Sequence, residues 1–158
     1  MPELSMGLLV DLFSVFGALL ALRKGGIAER LAGTVVIVDV TVARIGLWLG
    51  PEYQSLIHLC NDGLAAAALM VITIRYGAPW MGGIMLFFAT QFSLHSYYLV
   101  SGRPDHDYLH AMVNNIDWLG IICCLIIGTA VAWRRRVVAR APSVEALASG
   151  REGHEAHA

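Results

Sequence analysis

The chain has 158 residues, of which 57% are hydrophobic and only 15% charged, and its formal net charge is −1. Soluble domains sit nearer half apolar and a quarter charged, and here the apolar residues come in long blocks, so the first class to test is membrane protein. A near-neutral balance with no basic face gives no case for nucleic acid.

Five blocks are each long enough for a helix to cross a hydrocarbon core of about 20 residues. They are Leu4–Leu22, Leu31–Leu49, Ser55–Ile74, Pro79–Val100 and Leu109–Trp133. The first reads as a retained helix rather than a secretory signal, because Glu3 stands where a basic region belongs and Asp11 interrupts the apolar run. Arg23-Lys24-Gly25-Gly26 separates it from the second block, Gly50-Pro51-Glu52 follows the second, and Arg75-Tyr76-Gly77 follows the third. Ser101-Gly102-Arg103-Pro104-Asp105 follows the fourth. Links this short predict antiparallel neighbours, and helices must do the spanning because lipid offers no partner to unpaired backbone groups. The expected fold is all-α: a polytopic bundle of five transmembrane helices over residues 1–139, followed by a flexible cytoplasmic tail over 140–158 once Pro142 breaks the last helix.

Basic residues set the expected orientation. Arg23, Lys24, Arg30, Arg75, Arg134, Arg135, Arg136 and Arg140 fall on one side of five alternating spans, and Arg103 and Arg44 on the other. The positive-inside rule then places the N-terminus outside and the C-terminus inside, with Trp48, Trp80 and Trp133 as interfacial anchors. Cys60, Cys123 and Cys124 all lie in apolar stretches without a CxxC pattern, so they read as packing residues rather than a disulfide framework.

Polar residues inside the spans gather in the outer halves. They are Asp11, Arg44 with Asp39 deeper on the same helix, then His58, Asn61 and Asp62, then Gln91 and His95, and finally His110, Asn114, Asn115 and Asp117. The inner halves, Leu12–Leu22, Leu64–Ile74 and Leu119–Ala132, are almost wholly apolar. Helical phase puts His106, His110, Asn114 and Asp117 on one face, His58 with Asp62 on another, and Gln91 with His95 on a third. At 1.5 Å per residue Asp117 lies about 15 Å below Asp107. These faces predict a polar cleft open to the outside. Intramembrane charge is costly, by about 2.5–3.5 kcal/mol for a central Asp or Arg, and normally faces a partner inside the bundle. Asp39 and Arg44 point about 140° apart on one helix, so Arg44 is expected to reach Asp62, Asp11 or Glu52 instead, or to snorkel outward.

The stretch from Glu29-Arg30-Leu31-Ala32 to Val100 carries Asp62 early in a long apolar helix, the link Ile74-Arg75-Tyr76-Gly77-Ala78-Pro79-Trp80, and Gln91 with His95 in the next helix. In these features it resembles small uncharacterised multi-pass membrane proteins of alphaproteobacteria. The resemblance implies a bacterial inner-membrane location and no particular activity.

The expected function is a small inner-membrane accessory or ligand-binding protein, with the bilayer and a membrane complex or a second copy as partners. Its cleft would be built from Asp62, His95, His58, His110, Asn114, Asp117, Gln91 and Arg44. Two alternatives use the same residues. His58, His95 and His110 could ligate a metal ion, or two facing histidines a haem, though an interfacial role suits His106 better. Asp62, His95 and Asp117 could relay protons or ions in transport, although no charged group continues their path through the inner halves. Enzymatic chemistry has the least support: no nucleophile–base pair or phosphate loop stands out and HExxH is absent.

Overall fold

The computed structural model describes residues 2–46, 48, 51–102 and 107–155, with side chains described within 7–46, 48, 53–54, 56–102 and 107–139. Among them the chain is all helical: α1 (Pro2–Lys24), α2 (Ile27–Gly46), α3 (Pro51–Tyr76), α4 (Pro79–Ser101) and α5 (Tyr108–Glu155), with no strand. Local chemistry explains where each begins and ends. Pro51 and Pro79 open α3 and α4, where a missing N–H costs nothing. Gly77 and Gly102, with φ of 61° and 62°, sit in the left-handed conformation that ends α3 and α4. The start of α2 precedes the expected Leu31 because Glu29 turns back and accepts a hydrogen bond from the Gly26 N–H at 2.8 Å.

The expected break at Pro142 is not where α5 ends. The helix continues to Glu155; Ala and Glu favour helix in this segment, Gly150 and Gly153 do not, and the one proline does not end it. His154 and the side chains of the expected tail lie outside the described ones.

Each helix packs on the next, and α5 closes the ring by packing on α1, with a lesser contact between α2 and α5. The interior is divided along its length. Ala18, Ala21, Ala32, Leu69, Ile84 and Leu125 belong to a continuous apolar core at the end where α1 terminates. Toward the other end the buried residues are Asp39, Asn61, Asp62, Gln91, His95 and His110. The outside is the reverse: Leu8, Phe16, Leu64, Ile74, Leu86 and Val100 are all exposed, the last two at 68% and 89%. Two helical stretches, Leu56–Tyr76 and Tyr108–Ala139, are by length and apolarity alone able to cross a membrane. In α2 and α4 charged or polar groups that line the interior interrupt the apolar residues.

Small residues set the seam between α4 and α5. A Cβ on Gly120 would enter the Phe87 ring and one on Gly128 would enter the Trp80 indole. Cys124 lies against Gly83, whereas Cys60 and Cys123 are on exposed faces and take no part in the core, unlike the packing role expected for them. Gly120→Val should therefore cost about 1–3 kcal/mol through overpacking, read as a lower thermal unfolding midpoint in detergent. Gly82→Ala, with nothing within 4 Å of the added methyl, should leave the midpoint unchanged or raise it.

Candidate functional site

Asp62 lies on α3 and His95 on α4, and the antiparallel pairing of these helices brings Asp62 Oδ2 to 3.1 Å from His95 Nε2. Both side chains are about 95% buried, at 5% and 4% exposure. The oxygen is off the line of the ring N–H, so it has contact but no in-line donor. On its other edge His95 Nδ1 lies 3.2 Å from His110 Nε2 of α5. His58, one turn before Asp62, stacks on the His95 ring with centroids 5.6 Å apart and planes at 14°. Tyr98 tilts against His110 at 4.7 Å, and its hydroxyl donates to Asp107 Oδ2 at 3.1 Å.

The remaining polar groups tie other seams. Gln91 Nε2 donates to Asn114 Oδ1 at 3.3 Å between α4 and α5. Asn61 Nδ2 donates to the Asp39 main-chain carbonyl at 2.9 Å between α3 and α2. Arg44 of α2 pairs with Asp11 of α1, one of the three carboxylates its reach allowed. Buried Ser14 and Thr129 instead bond back to their own helices, at Val10 and Leu125.

A cavity of about 190 Å³ opens among these groups. Its polar walls are Asp11 and Arg44 at one side, Asp39, Asp62, His58 and His95 at another, and Asn114 with Asn115 from α5, beside the Trp118 indole. Asp39 Oδ1 and Asp62 Oδ2 are buried there without an in-line donor among the described residues. Buried acceptors are almost always met, and both of these belong to residues of the cavity wall.

Of the residues expected in the cleft, Asp62, His95, His58, Asn114 and Arg44 line this cavity. His110 reaches it only through His95, and Gln91 through Asn114. Asp117 is buried with Oδ2 unmet, but it is not part of the cavity wall. His106 lies outside the described residues. Asp11, Asp39, Asn115 and Trp118 were not in the expected site, and only the outer position of the first three signalled them.

The three histidines come together without converging. His95 touches both others by ring stacking and edge contact, with centroids at 5.6 and 5.0 Å, which leaves no space for a macrocycle between those pairs. Among the described residues no group of three or more His, Cys, Asp or Glu side chains is arranged to hold a metal ion. Comparison with protein-family models, curated proteins and solved structures finds no match.

Removing the Asn61 amide leaves the Asp39 carbonyl without its cross-helix donor. Asn61→Leu should cost about 1–3 kcal/mol, measured as a drop in unfolding midpoint, while Thr90→Val on an exposed face should change it little.

Proposed function

We propose that this is a small bacterial inner-membrane protein of five spans, N-terminus out and C-terminus in, whose outer-half cavity binds a small ammonium-type cation. Three observations support the membrane arrangement. Apolar side chains cover the outside while carboxylates and imidazoles fill part of the inside, the distribution that hydrocarbon solvent selects. The basic residues Arg23, Lys24, Arg75 and Arg134–Arg136 gather at the apolar-core end of the ring, as a cytoplasmic face requires. At that end Arg136 reaches the Lys24 carbonyl and the Lys24 ammonium stands 5.6 Å over Trp133.

The cation reading is carried by Asp39 and Asp62 in the wall of one cavity, each with a buried carboxylate oxygen that has no hydrogen-bond donor among the described residues. The charge on its wall is unbalanced: Arg44 is taken by Asp11, which leaves Asp39 and Asp62 to be neutralised. An ammonium N–H satisfies both oxygens at once through charge-assisted hydrogen bonds. The Trp118 indole offers a face to the alkyl or charged part of such a ligand. A volume of about 190 Å³ suits a handful of waters or a small organic amine rather than a lipid.

Calorimetry of the detergent-purified protein with methylammonium, ammonium and sodium tests this. Methylammonium should bind, and Asp62→Asn and Asp39→Asn should each weaken it at least tenfold while circular dichroism stays helical. Heat of dilution alone for all three cations would end the proposal. Topology has its own check, with single cysteines placed in a variant lacking Cys60, Cys123 and Cys124. A cysteine at Gly102 should react with an impermeant maleimide in intact cells, and one at Gly77 only after lysis. The reverse pattern would turn the molecule over.

A further inference from the structure

The cations at the apolar-core end take no part in the cavity. Arg23 and Lys24 lie in the last turn of α1, Arg30 stands near the start of α2, and Arg75 lies in the last turn of α3. Arg134, Arg135 and Arg136 follow the apolar stretch of α5. All are exposed except Arg136, which is partly buried. None lies within ion-pair distance of a carboxylate among the described residues. Glu29 is the carboxylate described at this end, and it is buried and accepts from the Gly26 N–H.

Their arrangement limits the partner. The cations come from four of the five helices, α1, α2, α3 and α5, so they stand around the ring at one level. A free anion, or a protein docked on one side, would meet only a few of them. A layer of negative charge lying across the helix ends meets them all. Exposed apolar side chains share the level: Ile27, Ile74, Trp133 and Val137. Cation beside hydrocarbon matches a phospholipid leaflet, where phosphate lies next to acyl chain.

The seam of α1 and α5 holds its cations in place. Lys24 Nζ stands 5.6 Å from the Trp133 ring centroid, a contact that leaves N–H groups for a further acceptor. Arg136 donates to the Lys24 and Ala132 carbonyls, which uses only part of its N–H set.

We propose that this end is an annular seat for anionic phospholipid headgroups, best held at the α1–α5 seam. It rests on the membrane reading above and is independent of the cation cavity. Orientation during insertion requires only that basic residues stay on one side. Selecting lipid in the folded protein requires them exposed, free of carboxylates and beside apolar side chains, and these residues meet all three conditions.

The full-length protein in detergent is given equal amounts of phosphatidylglycerol and phosphatidylcholine with identical chains. Native mass spectrometry then counts the lipids it retains. Phosphatidylglycerol should be favoured roughly tenfold or more, because each cation near a headgroup contributes about fivefold. The preference should shrink as salt rises. Arg23→Gln with Lys24→Gln should reduce it about fivefold or more, and Arg134→Gln with Arg135→Gln likewise. Arg23→Lys with Lys24→Arg keeps the charges and should keep the preference, which separates lost charge from a folding defect. Equal retention of the two lipids overturns the seat. So does a preference that survives both neutralised pairs, or one lost in the charge-keeping pair. A preference abolished by excess inorganic phosphate, but not by chloride of equal ionic strength, overturns it as well, since a free anion is then the occupant. Reconstitution separates this seat from the membrane reading. A protein that enters phosphatidylcholine vesicles but shows no lipid preference keeps the membrane reading and loses the seat. One that enters neither phosphatidylcholine nor phosphatidylglycerol vesicles loses both.

Discussion

A carboxylate enclosed by packed helices must be met by donors from neighbouring helices, and in this molecule that requirement organises the ring. Each seam carries a polar tie. Asp11–Arg44 joins α1 to α2, the Asn61 amide joins α3 to the α2 main chain, and Asp62–His95 joins α3 to α4. His95–His110 and Gln91–Asn114 join α4 to α5, and Arg136 with the Lys24 carbonyl closes α5 onto α1. Dispersion among Leu, Ile and Ala holds such helices together but tolerates a slide or rotation. Directional contacts do not, so the ties fix the register while the apolar half supplies most of the contact.

The division of the interior gives the site its floor. Below the polar groups, Leu69, Ile84, Phe88, Ile121 and Leu125 are almost fully enclosed, at 0–1% exposure. Among the described residues the polar groups buried nearer the basic end are few, with Thr129 bonded back to Leu125 and Glu29 to the Gly26 N–H. The polar half is therefore open at one end only. On the topology we propose, a solute entering this half would meet mainly apolar packing beyond Asp62. For a solute to go further, the helices would have to rearrange, and the polar ties are the contacts that such a rearrangement would break.

Much of this was legible in the residues, because period and turn chemistry are local. Five helices, their order and the polar and apolar halves follow from apolar blocks, Gly and Pro links, and helical phase. The proximity of Asp62 to His95 needed the rotation of two helices about their axes, which sequence spacing on one helix does not contain. The same blind spot left Arg44 with three carboxylates to choose from, and the structure selects Asp11. Asp39 escaped as a site residue because it sits deeper on its helix than Arg44, and the Asn61 bond was hidden because it goes to a main-chain carbonyl, which every residue has and no motif records. Asp117 erred the other way. It shares a face with His110 and Asn114 by phase, yet the cavity wall takes Asn114, Asn115 and Trp118 from α5 and not Asp117. Pro142 and the shift to Ala, Ser, Gly, Glu and His after Arg140 pointed to a tail, yet α5 runs through them to Glu155.

Charge accounting around the cavity links the cation to the proton. Asp11 and Arg44 cancel, at the wetter part of the wall where the pair is 27% and 49% exposed. Asp39 and Asp62 remain, both buried, and two like charges sharing a site of low dielectric cannot both stay bare. Either a cation settles between them or one takes a proton. His95 is the only titratable group of the described residues shown within 3.1 Å of Asp62 and joined to a second imidazole on its far edge.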